Sequence, residues 1–366
     1  MNAPRRPSTT ALRPLAFAAA LLCTAWFCGG CGEQTVATGQ SATTTPGTTN
    51  QGASSPPTTS ASTDAGPASA NSTHVPKILS IDRWDNAKLA AGGGKLAFPE
   101  SVGEDPLTGD LYVSNVGPSG EAAAKDGDGY ILQLSAAGAV INPHRFPAPG
   151  GKLNGPKGIV IRGDRLWVAD IDRVYAFDLR GKEGAQLAVL SVPGAEFAND
   201  LEMTPDGTLY VSDTQKNFIY MVRDDQVAHG LRKIITRDAR GANGLSWNAK
   251  TNRLLVAGTD FGNAPLGVSA VDLANVDRGE AVVTDLTGPM GKLDGLAALP
   301  SGNFLVSDWM NRCLWWVSAD GKTKDKILTG FLGPADFLIL KDRKTIIVPD
   351  MVRSELDVVH FAAPLE

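Results

Sequence analysis

Cysteine is nearly absent: the chain has four in 366 residues, and Cys23, Cys28 and Cys31 all fall in its first 31 positions. Cys313 stands alone beyond that point, which excludes an intrachain disulfide and a paired-cysteine metal site in the folded part. Apolar runs are short. Leu15 to Phe27, interrupted by Thr24, falls below the ~20 residues that a membrane-crossing helix needs. Helical periodicity is missing too, apart from one short turn expected over Asp82 to Ala91. Basic clusters are also lacking. The formal charge is −5, and it becomes −8 once Arg5, Arg6 and Arg13 are set aside. An acidic balance of this kind argues against nucleic acid or anionic lipid as a partner.

What the chain does carry begins with an address. Three arginines followed by a short apolar stretch make a signal peptide over residues 1–30. Its end, Cys28-Gly29-Gly30-Cys31, resembles a bacterial lipobox, which implies lipid attachment at Cys31; a plain secreted protein cleaved nearby is the alternative. Residues 31–74 are mostly Ser, Thr, Ala, Gly, Pro and Gln. Such a composition buries too little apolar surface to offset chain entropy, so a disordered tether is expected. The expected location is the bacterial cell envelope, periplasmic or surface-exposed, with the membrane met only through the lipid anchor. Residues 75–366 then form one domain.

Within that domain the sequence repeats itself. Six times a polar residue opens a short apolar run, and a second polar residue closes the next strand about fourteen positions later. The openers are Glu100, Lys157, Asn199, Asn243, Asp294 and Asp336; the closers are Asn115, Asp170, Asp213, Asp260, Asp308 and Asp350. Successive openers lie 57, 42, 44, 51 and 42 residues apart. Turn chemistry separates the runs, as in Pro205-Asp206-Gly207, where Pro presets φ and Gly supplies a positive φ. A period in the forties with several short strands per unit predicts an all-β fold, a six-bladed β-propeller of four-stranded antiparallel blades. The last unit shows only Phe337–Leu340, Thr345–Val348 and Leu356–Val359. An N-terminal strand, Ile78 to Ile81, is therefore expected to supply its outer strand and close the ring.

A propeller brings equivalent positions of every blade to one height around a central channel. The openers would collect there the carboxylates of Glu100, Asp294 and Asp336, the amides of Asn199 and Asn243, and the ammonium of Lys157. Hard oxygen donors with two or more carboxylates suit Ca²⁺, Mg²⁺ or Mn²⁺. Crowded carboxylates raise one another's pKa, so a metal or Lys157 must balance them. Any one Asn or Asp at a strand start is equally an ordinary turn residue. It is the combination that points to a site.

Four of these positions sit in Pro99-Glu100-Ser101, Ala198-Asn199-Asp200, Ala242-Asn243-Gly244-Leu245 and Leu293-Asp294-Gly295-Leu296. In order and spacing they resemble the motifs of the senescence marker protein, gluconolactonase and paraoxonase-like superfamily, over about Phe98 to Phe361. The resemblance implies a divalent metal on Glu100, Asn243 and Asp294, with Asn199 meeting metal or substrate. Calcium is the first choice, with Mg²⁺, Mn²⁺ or Zn²⁺ as alternatives. It implies hydrolysis of a small-molecule lactone or ester, in which Asp294, or else Asp200, takes the proton of the attacking water. Lys157 would bind a substrate carboxylate or assist the oxyanion, or else form an ion pair with Glu100 or Asp336, and Asp336 would also face the substrate. Three departures stand out: Ser101-Val102 replaces Gly-Pro, Phe197 replaces the Arg of sugar lactonases, and Lys157 replaces the His of paraoxonase-like members. No opener is one of His74, His144, His229 and His360, so a histidine dyad is excluded. A non-catalytic propeller scaffold for a protein or envelope ligand is the competing reading. A quinone-dependent dehydrogenase is disfavoured, because the seven tryptophans follow no blade period. Trp309 and Trp315 either line the channel or pack between blades, and packing is the expected role.

Overall fold

The computed structural model describes residues 68–69, 72–181, 184–235, 240–262, 264–278 and 281–366. The chain divides into two units, Met1–Ser62 and Thr63–Glu366, and every described residue belongs to the second. The expected signal peptide, the lipidated Cys31 and most of the tether lie outside the described residues. Among those described, no helix is long and apolar enough to cross a membrane.

Short strands joined by tight turns build a six-bladed β-propeller. Blade one is Pro99–Glu104, Leu111–Asn115, Tyr130–Leu134 and Val140–Phe146, ordered from the channel outward. Blades two to four repeat this order, with inner strands Pro156–Arg162, Ala198–Met203 and Ala242–Asn248. Blade five starts at Leu293–Ala298, and its outer strand Lys324–Thr329 is joined by the two-residue strand Ala68–Ser69. Blade six consists of Leu338–Ile339, Thr345–Asp350, Glu355–Phe361 and, outermost, Ile78–Trp84. That last strand comes from the N-terminal side and runs antiparallel to Glu355–Phe361. It is longer than expected because Trp84 continues the ladder and buries its ring between blades six and one. The short helix Asn86–Leu89 follows, capped by the Asp85 side chain on the Lys88 amide.

The core is a ring of wedges rather than one central mass. Six buried apolar clusters each straddle two neighbouring blades; one joins Trp167 and Ala176 of blade two to Leu209 and Tyr220 of blade three. Middle strands are therefore covered on both faces. Leu111–Asn115, Tyr130–Leu134 and Thr208–Asp213 are buried at every position. Outer strands such as Gln186–Ser191 are mostly exposed and mix polar with apolar residues.

Candidate active site

Five of the six openers sit on a break in their own strand, while Asp336 lies two residues before the short inner strand Leu338–Ile339 of blade six. In blades one to five the inner ladder loses register over Pro99/Val102, Pro156/Ile159, Ala198/Leu201, Ala242/Leu245 and Leu293/Leu296. Two residues per blade are thereby released from pairing, the opener and the residue after it. A bulge frees backbone groups that must find partners elsewhere. In blades one, three and five a serine on the second strand does this: Ser114, Ser212 and Ser307 accept the amides of Ser101, Asp200 and Gly295 at 2.8–2.9 Å.

Those second residues also set how closely neighbouring blades approach at the axis. A Cβ on Gly158 would lie 2.3 Å from Asp200 Oδ1, one on Gly244 2.1 Å from the Asp294 carbonyl, and one on Gly295 2.6 Å from Asp336. Only glycine fits at these three seams. The other seams are stitched by side chains. Ser101 Oγ donates to Asp336 Oδ2 (2.6 Å) and lies 3.3 Å from the Ile159 amide, so blades six, one and two meet on one hydroxyl. Asp200 accepts the Leu201 amide at 2.7 Å and the Leu245 amide of blade four at 2.6 Å.

The closers hold the loops that lead into the inner strands. Asp170 accepts the amides of Asn154 and Gly155, Asp213 those of Glu196 and Phe197, and Asp350 those of Leu332 and Gly333. Asn115 and Asp308 do the same for Ala97 and Lys292. Blade four is the exception. Asp260 lies past the strand Arg253–Gly258, and the residue paired with Ala242 is Gly258. A Cβ there would stand 2.9 Å from the carbonyls of Arg240 and Gly267, so the closing position admits no side chain.

The bulges bring Glu100, Lys157, Asp200, Asp294 and Asp336 close enough for their charges to act on one another. Glu100, Lys157, Asn199, Asn243 and Asp294 are all buried, and Asp336 is partly so. Burial first, then the charges of Asp294 and Asp336, hold the Glu100 carboxyl well above its ordinary range, while Lys157 opposes them. Burial and Asp336 push Asp294 up to about 7, against the pull of hydrogen bonds from Trp309 and Asn243. Asp336 is raised to about 6 by burial, opposed by the Ser101 hydroxyl and the Phe337 amide. Asp200 is raised by burial and Asp336, although both its oxygens hold backbone amides. Those two bonds make it a tie between blades.

Three oxygens stand out. Glu100 Oε2, Asn243 Oδ1 and Asp294 Oδ1 are buried without a hydrogen-bond donor. A buried oxygen left unpaired costs about 1–3 kcal/mol, and these three are the donor atoms a hard cation takes. The donor set therefore fits a divalent metal. Asn199 stands beside it, its amide on Thr214 Oγ1 at 3.2 Å, and that hydroxyl in turn donates to the Ala242 carbonyl.

Lys157 is 1% exposed, and its ammonium donates to the carbonyls of Ala122 (2.9 Å) and Gly155 (2.8 Å). It also lies 4.3 Å from the centre of the Phe197 ring, which meets Phe261 edge-on at 5.2 Å. Neither tryptophan is only packing. Trp309 Nε1 donates to Asp294 Oδ2 at 2.6 Å and Trp315 Nε1 to Asp308 Oδ2 at 2.9 Å, because a buried carboxylate needs a donor and the indole N–H supplies one. Phe261, Thr214 and the bulge serines were not singled out by the sequence reading. The only signal was the recurring Ser before Asn115, Asp213 and Asp308.

The profile of the SMP-30/gluconolactonase/LRE-like region family matches residues 128–338, more than half of the chain. No curated protein matches it significantly. Among solved structures, a structural-genomics target named as a candidate gluconolactonase aligns over 78% of this chain and 92% of its own, at 18% identity and a TM-score of 0.55. A gluconolactonase from Xanthomonas campestris aligns over 78% and 97%, at 16% identity and a TM-score of 0.54. A virginiamycin B lyase from Staphylococcus aureus aligns over 77% and 99%, at 12% identity and a TM-score of 0.52. At these identities the likeness to solved structures is one of fold.

Proposed function

Because the chain belongs to the SMP-30/gluconolactonase/LRE-like family, we propose that it is a divalent-metal-dependent hydrolase of a small lactone or ester, working in the propeller channel. One observation carries the reading: the three buried, donor-less oxygens of Glu100, Asn243 and Asp294. These residues, with Asn199, would hold the cation, calcium in the first instance. Bound there, it would polarise the ester carbonyl and offset the charge that develops on its oxygen.

The remaining steps belong to the chain's own groups. Asp294, fixed by Trp309 at Oδ2, takes a proton from the attacking water as the water oxygen bonds to the carbonyl carbon. The carbon–oxygen bond of the ester then breaks, and the same carboxyl returns the proton to the departing alkoxide. Lys157 keeps a fixed positive charge beside Glu100 and Asp294, and together with Asn199 and Asp336 forms the substrate-facing side. Phe197 and Phe261 make an apolar wall next to the ammonium, which suits a substrate with an apolar portion better than a polyhydroxylated sugar lactone. On the sequence alone, the proposal extends to attachment through Cys31 to a bacterial cell envelope.

Metal content before and after chelation, together with hydrolysis of a panel of γ-lactones, δ-lactones and aryl esters, tests this reading on the wild type beside Asp294→Ala. A divalent ion and an activity that are both lost in the variant are expected. A folded wild type that hydrolyses nothing in the panel and whose metal content does not depend on Asp294 would leave the non-catalytic scaffold.

A further inference from the structure

Blade six departs from its neighbours on its third strand. The residue paired with the closer across the second hairpin is Tyr130 in blade one, Arg173 in two, Phe218 in three and Cys313 in five. Two positions further along, the same blades carry Leu132, Tyr175, Tyr220 and Trp315. These later positions are apolar or aromatic, as strands wedged between blades require. In blade six the corresponding residues are Glu355, paired with Asp350, and Asp357.

One ligand oxygen from each of Asp350, Glu355 and Asp357 lies within 4.8 Å of the other two. The three residues are 0%, 5% and 0% exposed. Asp350 is satisfied by amides and by Arg353 Nη1 at 2.9 Å. Asp357 is not: neither of its oxygens receives a hydrogen bond, and neither does Glu355 Oε1. Two guanidinium groups face the cluster. Arg83 Nε stands 3.2 Å from Glu355 Oε1 and 3.9 Å from Asp357 Oδ1, and Arg353 Nε is 3.8 Å from Glu355 Oε1. Asp85 adds a fourth negative charge acting on Glu355. With the partly exposed Asp85 counted, four acids against two arginines leave a deficit of two positive charges, with a wholly buried carboxylate, Asp357, at its centre.

We infer that Asp350, Glu355 and Asp357 form a second divalent-cation site, separate from the channel and suited to calcium. A doubly charged cation cancels the deficit and gives Asp357 the partner that its burial requires. The donors are all carboxylate oxygens, which selects a hard cation over zinc or copper. All three lie within the ~4.8 Å that two oxygens on one cation can span when the bonds are ~2.4 Å. The site joins the last hairpin of the chain to the strand Ile78–Trp84, which carries Arg83.

Calcium stoichiometry of the purified full chain, by equilibrium dialysis against calcium chloride, tests the inference in an Asp294→Ala background that removes an anchor of the channel site. One calcium per chain should remain in that variant and raise its melting temperature. Adding Asp357→Asn should abolish both effects, and so should Glu355→Gln, which serves if Asp357→Asn fails to fold. No calcium retained by Asp294→Ala at millimolar free calcium would overturn the inference and leave arginines and a proton as the balancing charges. Retained calcium indifferent to both further substitutions would overturn it equally.

Discussion

Glu202→Gln is expected to stabilise the protein at pH 8 and leave it nearly unchanged at pH 4. Glu202 lies on the strand Ala198–Met203, and its Oε2 accepts the Trp247 amide at 3.0 Å across the seam between blades three and four. Burial pushes its carboxyl from 4.5 up to about 7, against the amides of Trp247 and Met203. The folded pKa thus lies above the unfolded one, and the unfolded chain releases the proton first as the pH rises. Stability from the protonated form is complete below about pH 4.5 and is lost as the pH climbs to about 7. The loss is roughly 3 kcal/mol at most, trimmed by water because the side chain is partly exposed. For a propeller of roughly 290 residues the unfolding entropy near the midpoint is about 0.6 kcal/mol per degree, so the shift is about 5 °C. Glutamine keeps a carbonyl for the Trp247 amide and carries no titratable proton. Thermal melts of both proteins at pH 4, 6 and 8, compared as differences, cancel the titration of every other group. A difference near zero at pH 4 that grows to several degrees at pH 8 is expected. An offset that is the same at all three values would refute the argument.

Two further outcomes follow from the fold and the seams. Deleting residues 77–83 removes most of the outer strand of blade six and the Arg83 contacts, so a drop in melting temperature for the whole domain is expected; an unchanged melt would mean that the ring closes without that strand. Gly244→Ala places a methyl 2.1 Å from the Asp294 carbonyl. Overpacking of this kind costs about 1–3 kcal/mol, and the displacement of Asp294 should lower metal affinity as well, measured by calorimetric titration beside the melt.

The propeller was legible because its signals are local. Alternating strands, turns such as Pro205-Asp206-Gly207 and Pro300-Ser301-Gly302, and polar residues at blade spacing are readable one unit at a time, and the third and fifth units show all three. The openers of blades one to five were legible for the same reason, since one bulge recurs at the same point of their inner strands. Blade four misled because Asp260 is a polar residue two positions too late, and only the packing around Gly258 shows which residue ends the strand. Trp309 could not be read as a donor to Asp294, because its role depends on a side-chain direction that spacing does not encode. Asp200 had the chemistry of a base but the contacts of a tie, a distinction made by the Leu245 amide of the next blade. Of the acids of blade six only Asp350 was read, as a closer; Glu355 and Asp357 stood at the start of a strand noted for its apolar residues, and became conspicuous only when its register was set against that of the other blades.

In blades two, three and six the loop that leads into the channel is hung from its own blade. Asp170, Asp213 and Asp350 hold the two amides that precede their own blade's inner strand, and none borrows a neighbour for the purpose. Phe197 meets Phe261 of the next blade and the Lys157 ammonium of the preceding one, so a change there is felt on both sides while the carboxylate of Asp213 still suspends its own loop. Under the proposed activity, that apolar wall can vary while the oxygens at the axis stay where the bulges put them, which separates what is recognised from what is done to it.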